Sequence, residues 1–207
     1  MSDAAALRRP PADRPLVLAD LLPGTLVRDA LLVVAAAGFV GLLAQFSVHV
    51  PGTPVPVTGQ TLGVLLAGTA LGWRRAGAAL ALYAVAGVAG VPWFAGQTSG
   101  YAGASFGYVV GFVAAAALCG YLAQRGADRS VVRSLPAMIA GEVVIYAFGL
   151  TWLAVAAHLS ASATIAEGLT PFLVGDAIKA AIAAGLLPAA WRLAGRKQAG
   201  DPRDTTP

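Results

Sequence analysis

The segment Pro171-Phe172-Leu173-Val174-Gly175-Asp176-Ala177-Ile178-Lys179-Ala180-Ala181-Ile182-Ala183-Ala184-Gly185-Leu186-Leu187 is apolar enough for lipid, yet it carries a carboxylate and an ammonium three residues apart. On an α-helix, positions i and i+3 share a face, so Asp176 and Lys179 lie within reach of each other. On insertion scales each charge at mid-bilayer costs about 2.5–3.5 kcal/mol, and such residues face a bundle interior and mark a substrate path. The stretch therefore predicts a membrane helix whose charges are offset by something the rest of the chain supplies.

The remainder of the sequence agrees with a membrane setting. The 207 residues are 57% hydrophobic and only 12% charged, with a mean hydropathy of +0.73. Soluble domains carry roughly 25% charged residues, so an all-α integral membrane protein is expected. Six spans are predicted: Thr25–Ser47, Gln60–Trp73, Ala76–Val91, Phe106–Gln124, Leu135–His158 and Phe172–Leu193. The second and third are short of the ~20 residues that a straight crossing needs. They form one membrane domain over residues 25–195, with tails at 1–24 and 196–207, of which 1–20 and 196–207 read as disordered. The N-terminal residues are rich in Pro, Arg and Asp and lack an apolar core segment, which argues against a cleaved leader. The single cysteine, Cys119, excludes an internal disulfide and a cysteine-based metal cluster.

Basic residues set the orientation. Arg8, Arg9, Arg14 and Arg28 precede or open the first span, and Arg74 and Arg75 join spans two and three. Arg125, Arg129 and Arg133 join spans four and five, and Arg192, Arg196, Lys197 and Arg203 close the chain. The connections around 48–59, 92–105 and 159–171 contain no Lys or Arg. By the positive-inside rule both termini are expected in the cytoplasm and these three loops outside the cell membrane. The net charge of +4 thus reflects topology and not nucleic-acid binding. Of the fourteen Lys and Arg residues, only Lys179 lies within a span and away from these basic clusters.

The outer loops carry the candidate chemistry. The first reads Val50-Pro51-Gly52-Thr53-Pro54-Val55-Pro56-Val57-Thr58-Gly59-Gln60-Thr61, where three prolines forbid helix and favour a stiff, extended backbone. Its valines can pack inward, while Thr58, Gln60 and Thr61 offer neutral hydrogen-bonding groups. The second holds Trp93, Phe94 and Tyr101 among glycines, as a mobile pocket wall or as an interfacial aromatic belt. Asp176 and Lys179 lie one and two turns below the outer end of the last span. Either they only neutralise each other, or they supply an acceptor and a donor to a small ligand bearing a carboxylate and N–H groups. Glu142, about two turns into the fifth span, shares a face with Tyr146 and takes no assigned role: a relay, a pairing with a partner and a protonated acid stand equal.

Other motifs carry less. Gly103-Ala104-Ser105-Phe106-Gly107 matches the nucleophile-elbow pattern but lies between spans, not in an α/β sheet. His49 and His158 alone make no zinc site, so no metal is expected. The chain has no G-x-x-x-x-G-K-[ST] loop and hydrolyses no nucleotide through one. Ala37-x-x-x-Gly41 in the first span is a small-residue pair that suits either internal packing or docking of a partner helix.

Together, Pro54-Val55-Pro56-Val57-Thr58-Gly59-Gln60-Thr61, Leu66-Ala67-Gly68, Val91-Pro92-Trp93-Phe94-Ala95-Gly96 and Pro171-Phe172 through Gly175-Asp176-x-x-Lys179 resemble the BioY family, the biotin-binding S components of energy-coupling factor transporters. The resemblance covers residues 30–195 and implies a six-helix membrane subunit that captures biotin from outside. It implies that Asp176 and Lys179 contact biotin's polar groups, that the Thr58–Thr61 loop helps close the site, and that a membrane coupling protein (the T component) and two ABC-type ATPases supply energy. The expected substrate-binding set is Asp176, Lys179, Thr58, Gln60, Trp93, Phe94, Tyr101 and Tyr146, with no cofactor. Ala37 and Gly41 are the nearest match to the family's Ala-x-x-x-Ala docking motif, with glycine at its second position. Lys179 suits a valerate carboxylate and Asp176 a ureido N–H, or Lys179 the ureido oxygen. The rival reading is a stand-alone proton-coupled carrier for a small carboxylate-bearing metabolite, which lacks an evident inverted repeat. An intramembrane hydrolase built on Ser105 is a weaker rival.

Overall fold

The computed structural model describes residues 17–22, 24 and 26–199, with side chains to residue 194. Arg8, Arg9, Arg14 and Arg203 lie outside the described residues, as does Thr25, the expected start of the first span. Among the described residues seven α-helices follow one another: α1 (Leu26–Gln45), α2 (Gln60–Leu71), α3 (Trp73–Val88), α4 (Phe106–Gln124), α5 (Val131–Ala156), α6 (Ala161–Gly168) and α7 (Leu173–Ala199). Of these, α1, α4, α5 and α7 are long and apolar enough to cross a bilayer on their own. Their lipid-ready faces are plain on α1, where Leu26, Val27, Leu31, Val34 and Leu42 are exposed.

Glycine explains how the helices fit. α2 ends at Gly72, whose φ of 78° is a conformation that favours glycine, and α3 starts at the next residue. Gly120 of α4 abuts this turn: a Cβ there would stand 2.5 Å from the Gly72 carbonyl carbon. α2 is thereby pressed against α4, and most of its residues are buried. Between α4 and α5, Gly111 meets the Ile145 backbone and Gly107 meets Trp152. Small residues are the means by which membrane helices approach closely, as the composition suggested.

Four features differ from the sequence reading. Residues 17–21 are not a disordered tail: Leu18–Leu21 forms a 3-10 turn with Val17 0% exposed in the core. Arg75 fastens this turn by pairing with Asp20 and, at 3.4 Å, with Asp29. The third loop contains α6, started by Ser160, whose hydroxyl accepts from the Ala163 N–H at 3.3 Å. α5 begins at Val131, four residues early, so Glu142 lies about three turns into it and not two. α7 runs on to Ala199, four residues past the expected boundary at 195.

α5 and α7 pack together, and their basic ends are tied through the connection before α5. Trp191 Nε1 donates to Asp128 Oδ2 at 2.5 Å, and the Arg129 guanidinium lies 3.5 Å from the centre of the Trp191 ring. Burial raises the Asp128 carboxyl above its ordinary value, with the Trp191 bond and Arg129 opposing.

Candidate functional site

The proline loop is stiff and closed by pairing. Ser47–Val48 pairs antiparallel with Val57–Thr58, Ser47 facing Thr58 and Val48 facing Val57. Val55 packs into the core, as expected for one of the inward valines. The Thr58 hydroxyl accepts from the Gln60 N–H at 3.2 Å and donates to Gln60 Oε1 at 3.0 Å. Gln60 Nε2 donates to the Tyr83 hydroxyl at 2.7 Å, which donates to the Trp93 carbonyl at 3.2 Å. A chain of polar contacts thus fixes the start of α2 to α3 and to the second loop.

The charged pair sits at the same end of the bundle. Asp176 is in the first turn of α7, where the helix dipole favours a negative charge, and is only 6% exposed. Its Oδ1 accepts from Lys179 Nζ at 2.8 Å and from the Thr61 hydroxyl at 3.0 Å. Its Oδ2 accepts from the Tyr146 phenol of α5. Lys179 Nζ also donates to the Thr61 oxygen at 3.1 Å. Three helices therefore meet at one carboxylate, and what offsets its burial is this set of donors.

A cavity opens over these groups. It is lined by the candidates Asp176, Lys179, Thr58, Gln60, Phe94 and Tyr146, joined by Val55, Pro56, Thr61, Ser105, Tyr108, Phe112 and Phe172. Its free space for water-sized molecules is only about 40 Å³. A vestibule of about 330 Å³ lies against it, sharing Pro56, Phe94, Ala95, Ser105 and Val109, and is bordered by His49, Thr98 and Ser99. Phe94 lines both spaces. Its ring rests on Gly87 so closely that a Cβ there would stand 2.1 Å from Cζ.

Two expected ligand contacts, Trp93 and Tyr101, lie outside the cavity lining. Trp93 packs against α3: its ring lies 5.1 Å from that of Tyr83, and its Nε1 donates to the Tyr83 carbonyl at 3.0 Å. Tyr101 is 63% exposed and touches Phe106 edge-on. The expected docking pair takes part in the packing of the chain itself. Ala37 is fully buried, and Gly41 packs against Trp93, whose Cβ lies 3.4 Å from where a Gly41 Cβ would be.

The sequence reading missed the aromatic wall. Tyr108 and Phe112, four apart on α4, line one side, and Phe172 faces Tyr108 with ring centres 6.4 Å apart. Tyr108 is held by donating to the Gly168 carbonyl at 2.7 Å and by lying on Gly149. The i, i+4 spacing of two aromatics on α4 was the available signal.

Fold and cavity define a multi-pass helical membrane protein with an enclosed site that offers one cation, one anion and an apolar wall. The BioY family profile matches residues 13–196, and the chain belongs to that family. The biotin transporter BioY of Rhizobium etli is 36% identical over 181 residues, covering 83% of this chain and 89% of the relative. The probable biotin transporter BioY of Pyrococcus horikoshii is 36% identical over 143 residues, covering 68% and 82%. Among solved structures, the S-component for biotin from an ECF-type ABC transporter shares the fold, with a TM-score of 0.74 at 20% identity over 82% of this chain and 95% of the other.

Proposed function

We propose that this chain is the biotin-capturing membrane subunit of a vitamin uptake system, taking biotin from the outer face and delivering it inward. The observation that carries this reading is the Asp176–Lys179 ion pair lining the cavity, in a family whose relatives are named biotin transporters. Biotin has a carboxylate, a ureido ring with two N–H donors and one carbonyl, and an apolar thiolane. Lys179 pairs with the carboxylate or the ureido oxygen, Asp176 accepts from a ureido N–H, and Phe94, Tyr108 and Phe172 cover the rings. A ligand of this size needs more than the cavity's about 40 Å³, so Phe94 and the proline loop move aside as it enters from the vestibule.

The chain crosses the cell membrane six times with both termini in the cytoplasm, α2 and α3 crossing with help from adjoining loop. The clustering of Arg28, Arg74, Arg75, Arg125, Arg129, Arg133 and Arg192 away from the three loops that hold no Lys or Arg supports this topology. It acts in transport and not as an enzyme. Lacking a P-loop, it draws energy from a membrane coupling protein and two ABC-type ATPases. The test is calorimetric titration of the purified chain, without partners, against biotin, with dethiobiotin and lipoate as controls. Near-stoichiometric, biotin-selective binding is expected; a well-folded sample that binds none overturns the assignment.

A further inference from the structure

Glu142 takes no part in the binding chemistry above. It is 7% exposed, and neither of its carboxylate oxygens has a hydrogen-bond partner. Such a group is costly to bury unless something nearby answers its charge. α5 and α7 run antiparallel: Tyr146 meets Asp176 at one end, and Asp128, just before α5, meets Trp191 near the other. One turn from Tyr146 toward the basic end lies Glu142, and one turn from Asp176 in the same direction lies Lys179. Two antiparallel helices joined at Tyr146–Asp176 thus bring Glu142 and Lys179 to one level. Glu142 interacts electrostatically with both Asp176 and Lys179. That lower rung is unmade here, because Lys179 reaches to Asp176 at 2.8 Å and Thr61 at 3.1 Å.

We propose that Glu142 is a second acceptor for the Lys179 ammonium, a positioning residue that lets Lys179 leave Asp176 when a ligand arrives. Asp176 Oδ1 already accepts two bonds, from Lys179 and Thr61, so a ligand N–H reaches that oxygen only when one donor withdraws. Lys179 is the donor built to move, with a flexible four-carbon stem. Without Glu142, its withdrawal would leave a buried cation unpaired. The functional half of this inference rests on the biotin reading; the exchange between carboxylates does not.

The decisive experiment measures ligand-free thermal midpoints of wild type, Asp176→Asn, Glu142→Gln and the double variant, then repeats the set in a Lys179→Met background. A shared ammonium predicts that the double variant loses more than the sum of the singles, and that this excess vanishes with Lys179→Met. Additive losses in both backgrounds overturn it. Should the double variant not fold, a structure of Asp176→Asn decides: Nζ within about 4 Å of a Glu142 oxygen supports the exchange, and Nζ still at position 176 refutes it. Glu142→Gln is expected to weaken biotin binding about tenfold, and wild-type affinity would sink the functional half. Failure of the wild type to bind biotin would overturn the transport reading alone, since the stability cycle needs no ligand.

Discussion

The Thr61 hydroxyl donates to Asp176 Oδ1 at 3.0 Å, tying together residues 115 positions apart. The same oxygen accepts from Lys179 Nζ, so one small side chain on α2 touches both charges of α7. Thr61→Val keeps the shape and removes the bridge, leaving each charge one partner short. We expect a stability loss of about 1–3 kcal/mol and weaker biotin binding, with Thr61→Ser near wild type. Thermal unfolding and calorimetry on the two variants check this; equal behaviour of the two would refute the bridge.

Truncating the charged pair should be asymmetric. Lys179→Ala leaves Asp176 and Glu142 as two buried carboxylates without their cation, whereas Asp176→Ala leaves the ammonium free to turn to Glu142, as proposed above. Breaking a buried pair costs about 3–5 kcal/mol when one charge is stranded, so Lys179→Ala should have the lower thermal midpoint. Both variants should still reach the membrane and bind biotin more weakly. Wild-type affinity in both would remove the pair from the site.

Phe94 and Tyr101 lie in one loop but differ in exposure, and that difference makes a second contrast. Phe94 is buried and lines both cavity and vestibule, while Tyr101 is exposed. Phe94→Ala should weaken biotin binding about tenfold or more, and Tyr101→Ala should change it less than about twofold. Gly87→Ala should reproduce part of the Phe94 defect, because the new methyl occupies the ring's place. Titration of the three variants tests the order, and a large Tyr101 effect would contradict it.

Much of this was legible in the sequence because lipid imposes a simple demand. A backbone in hydrocarbon must satisfy itself, so α1, α4, α5 and α7 show as long apolar runs. The charged pair was legible for the same reason, since Asp176 and Lys179 stand out against it. What the sequence hid depended on contacts distant along the chain. Ala37 and Gly41 have the spacing of a docking face, and only the fold shows that Gly41 lies against Trp93 of the same chain. Nothing local reveals that the Trp93 indole bonds to the Tyr83 carbonyl. α6 is only 8 residues long and was too short to show a period. The turn at Leu18–Leu21 looks like tail until Arg75 is seen to hold Asp20.

Asp128 supplies a pH dependence away from the membrane. Burial raises its carboxyl above the ordinary value of 3.8, so the folded state binds its proton more tightly than the unfolded state does. A raised carboxylate favours folding most below the ordinary value, and that contribution is lost as pH climbs through the raised folded value. Asp128→Asn keeps an acceptor for Trp191 and carries no charge to desolvate. Relative to wild type, its thermal midpoint should therefore rise at neutral pH, and the gap should close as the medium is acidified toward pH ~4. Midpoints followed by Trp fluorescence across that range provide the check. A variant less stable than wild type at neutral pH would mean that the charge-assisted bond to Trp191 and the attraction of Arg129 outweigh the desolvation of Asp128.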